Sequence, residues 1–228
     1  MRAKSWRFIL TAVLCIGVAG YALWAYGGGA QRVPLHPEMA AVFNEHRVLI
    51  TVHAMGASIA LLLGPFQFLT RWRARHLRLH RMMGYGYLVL GVGMGGTAGV
   101  LMARYSFGGF VSHAGFGMLG CLWLFTGAMA LIAATRRQIE VHRLWMVRNF
   151  ALALAAVTLR LYLPASAIAG VRFEDIYPAI AWLCWVPNLI VAEWFIKRPE
   201  LRPAPALVAS TADEVRTYPL QRRDDAGA

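Results

Sequence analysis

Residues 75–103 read RHLRLHRMMGYGYLVLGVGMGGTAGVLMA. A basic knot of Arg75, His76, Arg78, His80 and Arg81 gives way, without a linker, to an apolar run over 82–103. The hydrocarbon core of a bilayer is about 30 Å thick, so a helix needs roughly 20 apolar residues to cross it. The run has that length and a cationic block at one end, which reads as a membrane span starting at a charged interface. Similar runs occupy 8–26, 48–70, 110–134, 149–164 and 178–196, and the fifth of the six reaches spanning length only if it begins near His142. The chain of 228 residues is 58% hydrophobic and 15% charged, with a mean hydropathy of +0.50. A soluble domain could not bury that much apolar surface. The expected fold is all-α, an integral membrane six-helix bundle whose helices two to five form a four-helix core. One transmembrane domain over 1–198 leaves no room for a soluble enzyme module.

The net charge of +12 is unevenly placed. Lys and Arg number three in 1–7, five in 71–81, four in 136–148 and three in 197–202. The alternating loops at 27–47, 104–109 and 165–177 hold two, one and one. This positive-inside bias predicts that both termini are cytoplasmic, in a bacterial inner membrane. The basic surface then faces anionic lipid headgroups rather than nucleic acid. The opening MRAKSWR resembles a signal-peptide n-region, but Tyr21, Trp24 and Tyr26 form an aromatic belt where a small-residue cleavage site belongs, so the first helix reads as a retained anchor. Cys15, Cys121 and Cys184 all fall in apolar runs without a C-x-x-C, which argues against a disulfide framework, an iron–sulfur cluster or a cysteine zinc site. Residues 199–228, rich in proline and charge, read as a disordered cytoplasmic tail. Oligomeric state is left open, with a homo-oligomer as one option.

Ionisable groups inside the spans are few: Arg160 in the fifth and Glu193 near the end of the sixth. No carboxylate sits near the membrane centre, where proton-coupled transporters usually carry one. Arg160 has no anionic partner nearby in sequence, and a cofactor carboxylate would serve. Glycines crowd GVGMGGTAG at 91–99 and GFGMLG at 115–120, as expected where helix backbones approach closely or make room for a flat cofactor.

Histidine placement carries the functional expectation. His53, His80, His113 and His142 lie at the starts of helices two, three, four and five. Alternating helix direction puts His53 and His113 near the outer face and His80 and His142 near the inner one. His53 and His80 are 27 residues apart, His113 and His142 are 29 apart, and both inner histidines precede an arginine, as a duplicated hairpin would show. Paired imidazoles on facing helices are the usual axial ligands of b-type haem. Arginines can neutralise the propionates: Arg81, Arg143 and Arg148 at the inner pair, and Arg160, about 27 Å along the helix from His142, at the outer one. The expectation is two b haems, one per leaflet. The competing reading is that these histidines are ordinary interfacial residues. His46, two turns before His53, is a reserve outer ligand. His76 reads as filler, although His76, His80 and His142 could form a weaker metal site. Methionine is a minor alternative ligand.

Two resemblances follow. HAMGASIALLLGPFQF at 53–68, LHRMMGYGYL at 79–88, HRLWMVRNFALALAAVTLRLYLP at 142–164 and WLCWVPNLIVAE at 182–193 resemble the bacterial membrane-protein family known as domain of unknown function 2306, across nearly all of 45–196. Its pattern involves the positions of His53, His80 and His142 more clearly than His113, and its name implies no activity. In topology and histidine placement, the chain is similar to the cytochrome b561 family. That likeness implies His53 with His113 and His80 with His142 as haem pairs, and transmembrane electron transfer from ascorbate or a quinol. SHAGFGML, around His113, is similar in character to that family's fourth-helix start, while His53 lies deeper than its counterpart. The competing function is a non-catalytic multi-pass protein, a packing subunit or a small-molecule carrier.

Overall fold

The computed structural model describes residues 3–27, 32 and 36–197; the expected tail over 199–228 lies outside the described residues. Eight helices account for almost all of it. They are α1 (Ala3–Tyr26), α2 (Pro37–Glu45), α3 (Arg47–Gln67), α4 (Thr70–Arg75), α5 (Leu77–Ala103), α6 (Gly109–Thr135), α7 (Ile139–Ile168) and α8 (Phe173–Lys197). All but α2 and α4 are long and apolar enough to cross a membrane. The fifth span begins at Ile139, three residues before His142, so the length its apolar run lacked comes from the polar side. Two short helices were not expected. α2 starts at Pro37, whose fixed φ and missing N–H suit a first helical turn, with Glu38 beside the positive helix end. α4 turns the basic loop into the helix TRWRAR.

Neighbouring spans pack on one another, and α3 also touches α7, so α3, α5, α6 and α7 close a ring. α1 lies against α3 and α7, and α8 against α6 and α7. Large apolar side chains such as Leu90, Met94, Met118, Phe125 and Ile190 point outward and are exposed, as a lipid-facing surface requires.

The tightest seam joins α3 and α5. A methyl group on Gly56 would sit 2.6 Å from Gly95 Cα, and one on Gly91 would sit 3.0 Å from Ala60 Cβ. Glycines four apart (Gly91, Gly95, Gly99) thus let two backbones touch, which is how membrane helices gain packing without a hydrophobic drive between them. α5 also widens into π-helical turns over Gly86–Met94, a distortion found mostly at functional sites. Gly56→Ala forces the seam apart and is expected to cost about 1–3 kcal/mol, the usual penalty for overpacking. Detergent unfolding curves read this directly, and an unchanged midpoint would contradict the seam.

Between α5, α6 and α7 lies a polar knot. The Tyr87 hydroxyl donates to Asn149 Oδ1 at 2.8 Å, and Asn149 Nδ2 donates to the Trp123 carbonyl at 2.7 Å and to Thr126 Oγ1 at 2.9 Å. Tyr87 and Asn149 are fully buried. A bilayer interior demands such pairing, because no water is present to satisfy stray polar groups.

Candidate functional site

A cavity of about 330 Å³ opens within the bundle, toward the end opposite the basic loops. α1, α3, α5, α6, α7 and α8 all contribute walls, and Met39, Val42 and Phe43 of α2 close part of it. Its volume is at the lower end of the range for small-molecule sites. The lining is mostly apolar, but His53, Arg160, Trp123, Tyr26 and Tyr177 all face it.

The α3–α5 seam positions His53. Its Nδ1 lies 2.8 Å from the carbonyl of Gly95. A carbonyl only accepts, so Nδ1 carries the proton and Nε2 keeps a free lone pair. A methyl on Gly99 would come within 2.8 Å of that same Nδ1. Gly99→Ala is therefore expected to push the ring off Gly95. In ¹⁵N-histidine spectra the protected Nδ1–H signal of His53 should vanish while that of His142 persists; two unchanged signals would refute the placement.

Arg160 also faces the cavity. Its Nη1 donates to the Ala156 carbonyl at 3.0 Å, and its guanidinium lies 5.7 Å from the centre of the Tyr21 ring. Among the described residues no carboxylate pairs with it. Trp123, only 6% exposed, turns its Nε1 to the Tyr87 hydroxyl and so joins the cavity wall to the polar knot.

The other candidates lie elsewhere. His113 donates from Nε2 to the Ser106 carbonyl at 2.9 Å and does not line the cavity, so it does not join His53 there. His46 stacks on Tyr105 with ring centres 3.9 Å apart and is also absent from the lining. At the basic end, His142 holds its Nδ1 2.8 Å from the Ala130 carbonyl, while His80 is half-buried and its Nδ1 has no partner. His80 lies within the electrostatic reach of His142, Arg73 and Arg81.

Two inner arginines have partners of their own. Arg148, expected to meet an external anion, is clasped by Glu193 of α8: its Nη2 donates to Oε2 at 3.0 Å and its Nε to Oε1. Sequence reading placed both residues without joining them, because 45 positions separate them. Arg143 pairs with Glu140, one turn back, at 3.0 Å, and Arg81 is exposed. The site of His76, His80 and His142 does not form: among the described residues no three metal-ligating side chains converge. The physical reason is that His76 ends α4, is exposed and packs beside Trp72, so it does not share a helix face with His80.

Sequence reading missed Tyr26 and Tyr177 as cavity residues, along with Trp123 and Asn149. Asn149 carried a signal, being a lone amide in VRNFALALAA, where intramembrane polar groups are costly.

Residues 50–196 match the family described as predicted membrane protein (DUF2306). No curated protein matches the chain, and no solved structure does.

Proposed function

The chain belongs to the DUF2306 family of predicted membrane proteins, and we propose that this multi-pass protein holds an apolar small molecule within the bundle, in the cavity between His53 and Arg160. One observation carries the reading: a mostly apolar chamber whose wall includes an imidazole with a free lone pair and a guanidinium that no carboxylate among the described residues pairs with. Binding sites of this kind combine an apolar body with a few fixed polar groups. The α3–α5 seam fixes His53, and α2 covers part of the chamber. With the orientation expected from the basic loops, the chamber lies in the outer leaflet of a bacterial inner membrane with both termini cytoplasmic. A carrier, or a subunit that presents the molecule to a partner, both fit this site. The test is solvent extraction of the purified protein followed by mass spectrometry, alongside a Gly99→Leu variant that fills the chamber. A discrete lipophilic molecule should accompany the wild type and be lost from the variant. Equal extracts from both would end the proposal.

A second reading places haem b here, with transmembrane electron transfer from a quinol or ascorbate. Its support is the anchoring of His53 through Nδ1 to a backbone carbonyl, the arrangement that orients metal-bound histidines. His142 is anchored the same way, and His80 stands at the same end with Nδ1 unpaired. His53 would ligate an outer haem, with Arg160 neutralising a propionate, and His80 and His142 would hold an inner one. His113 fits less well, because its Nε2 is engaged by Ser106. The likeness to cytochrome b561 rests on topology and histidine placement alone. When bound, haem supplies one-electron chemistry, while the chain supplies ligands, charge and exclusion of water. A reduced-minus-oxidised spectrum of protein made with ample haem decides it. Sharp b-type bands, halved separately by His53→Ala and His80→Ala, would favour this reading. A colourless protein from cells that load another b-type cytochrome would remove it.

A further inference from the structure

Arg160 lies within a membrane span, part-buried, and has no countercharge among the described residues. An arginine inside a membrane span is costly and is retained where it meets a partner or a pathway. Its guanidinium has five N–H donors in a planar fork, and the structure gives it one carbonyl and one aromatic face. Among the described residues no carboxylate is left over for it. Of the acidic residues described, Glu193 holds Arg148, Glu140 holds Arg143, Asp175 holds Arg172, Glu174 lies 3.5 Å from His36 and Glu45 lies 3.7 Å from His46. Glu38, the last of them, is exposed in the first turn of α2. Arg160 instead borders the chamber beside Tyr26 and Tyr177. A guanidinium with most of its donors unspent on the wall of a mostly apolar chamber calls for an acceptor-rich, negatively charged head, and a carboxylate matches the guanidinium fork through both oxygens.

We infer that Arg160 is a carboxylate receptor: the molecule held in the chamber is an apolar body bearing a carboxylate, which the guanidinium takes edge-on. This rests on the proposal that the chamber binds a small molecule, and it names the chemical class. Two sources supply that chemistry, a free fatty acid and the propionate of a haem. The rest of the lining, with Val18, Ala22, Val42 and Leu159 among it, suits the apolar body of either.

The experiment uses the full chain in nanodiscs and three probes: dodecanoate, dodecanol and haemin. Dodecanoate should bind at least tenfold more tightly than dodecanol. Arg160→Gln should weaken dodecanoate at least tenfold and leave dodecanol unchanged, while Arg160→Lys, which keeps the charge without the fork, should recover part of the loss. If haemin binds more tightly than dodecanoate and is weakened by the same substitution, the carboxylate is a propionate. If Arg160→Gln leaves both acids unaffected, or dodecanol binds as well as dodecanoate, the receptor role is overturned while the chamber remains a binding site. If none of the three probes binds the wild type, the chamber proposal and this inference fall together. Circular dichroism and gel filtration of each variant show whether it is folded.

Discussion

Replacing Asn149 with alanine should lower the stability of the bundle by about 2–5 kcal/mol, combining an orphaned buried donor with a small cavity. Asn149 is fully buried and ties three spans together: Tyr87 of α5 donates to its Oδ1, and its Nδ2 donates to Trp123 and Thr126 of α6. Alanine strands the Tyr87 hydroxyl where no water competes for it. Thr126 is spared, because its hydroxyl also donates to the Leu122 carbonyl at 2.8 Å. The cost therefore centres on Tyr87, which suggests a check. Tyr87→Phe removes the stranded donor, so Asn149→Ala should cost at least about 1 kcal/mol less in that background than alone, the coupling expected of one buried hydrogen bond. Unfolding in mixed micelles measures all four corners of the cycle. Additive costs would mean that the two side chains do not share a bond. Interhelical bonds in membranes average about 0.6 kcal/mol and reach about 1.7, and the full burial of Tyr87 and Asn149 puts this bond in the upper part of that span.

The same residues explain what sequence could and could not reveal. The six spans were legible because hydrocarbon thickness dictates run length, and the basic blocks at 71–81 and 136–148 punctuate them. The glycines of α5 were legible as packing residues, and their spacing of four does seat Gly91 on Ala60 and Gly95 on Gly56. What that seam does for His53 was not legible. The Gly95 carbonyl lies 42 residues along the chain from His53 and reaches it only because the two backbones touch. Four histidines at four helix starts suggested two matched pairs. In the structure each histidine has a different setting: His53 lines a chamber, His113 is turned to the α5–α6 connection, His142 is anchored on α6, and His80 is half-buried with an idle nitrogen. Sequence position gives the depth of a side chain, but its rotation and its partner depend on neighbouring helices. The chamber itself is the clearest case, since its walls come from every span and no single segment announces it.

The bond between Arg148 and Glu193 is the second large effect, and it separates a structural arginine from a ligand-binding one. Both N–H groups on one edge of the guanidinium meet the carboxylate, and Trp145 lies under the same guanidinium at 4.9 Å. The side chains are 22% and 34% exposed, so water screens the pair in part. Breaking a fully buried pair costs about 3–5 kcal/mol, and this exposure, with Lys197 one turn along α8 still attracting Glu193, argues for about 1–2 kcal/mol in Arg148→Ala. Glu193→Gln should cost less, because the amide still accepts from the guanidinium, which also keeps its contact with the Trp145 ring. Arg148→Ala combined with Glu193→Ala should be milder than Arg148→Ala alone, because no part-buried carboxylate is left without its arginine. Thermal denaturation in detergent, run at low and at high salt, reads the series. If Arg148→Ala proves as mild as the double substitution, the carboxylate was never held by the arginine. None of these changes should alter dodecanoate binding, because Arg148 lies outside the chamber lining. An equal loss of binding from Arg148→Ala and Arg160→Gln would mean that the two arginines act on one anion, contrary to their separate partners.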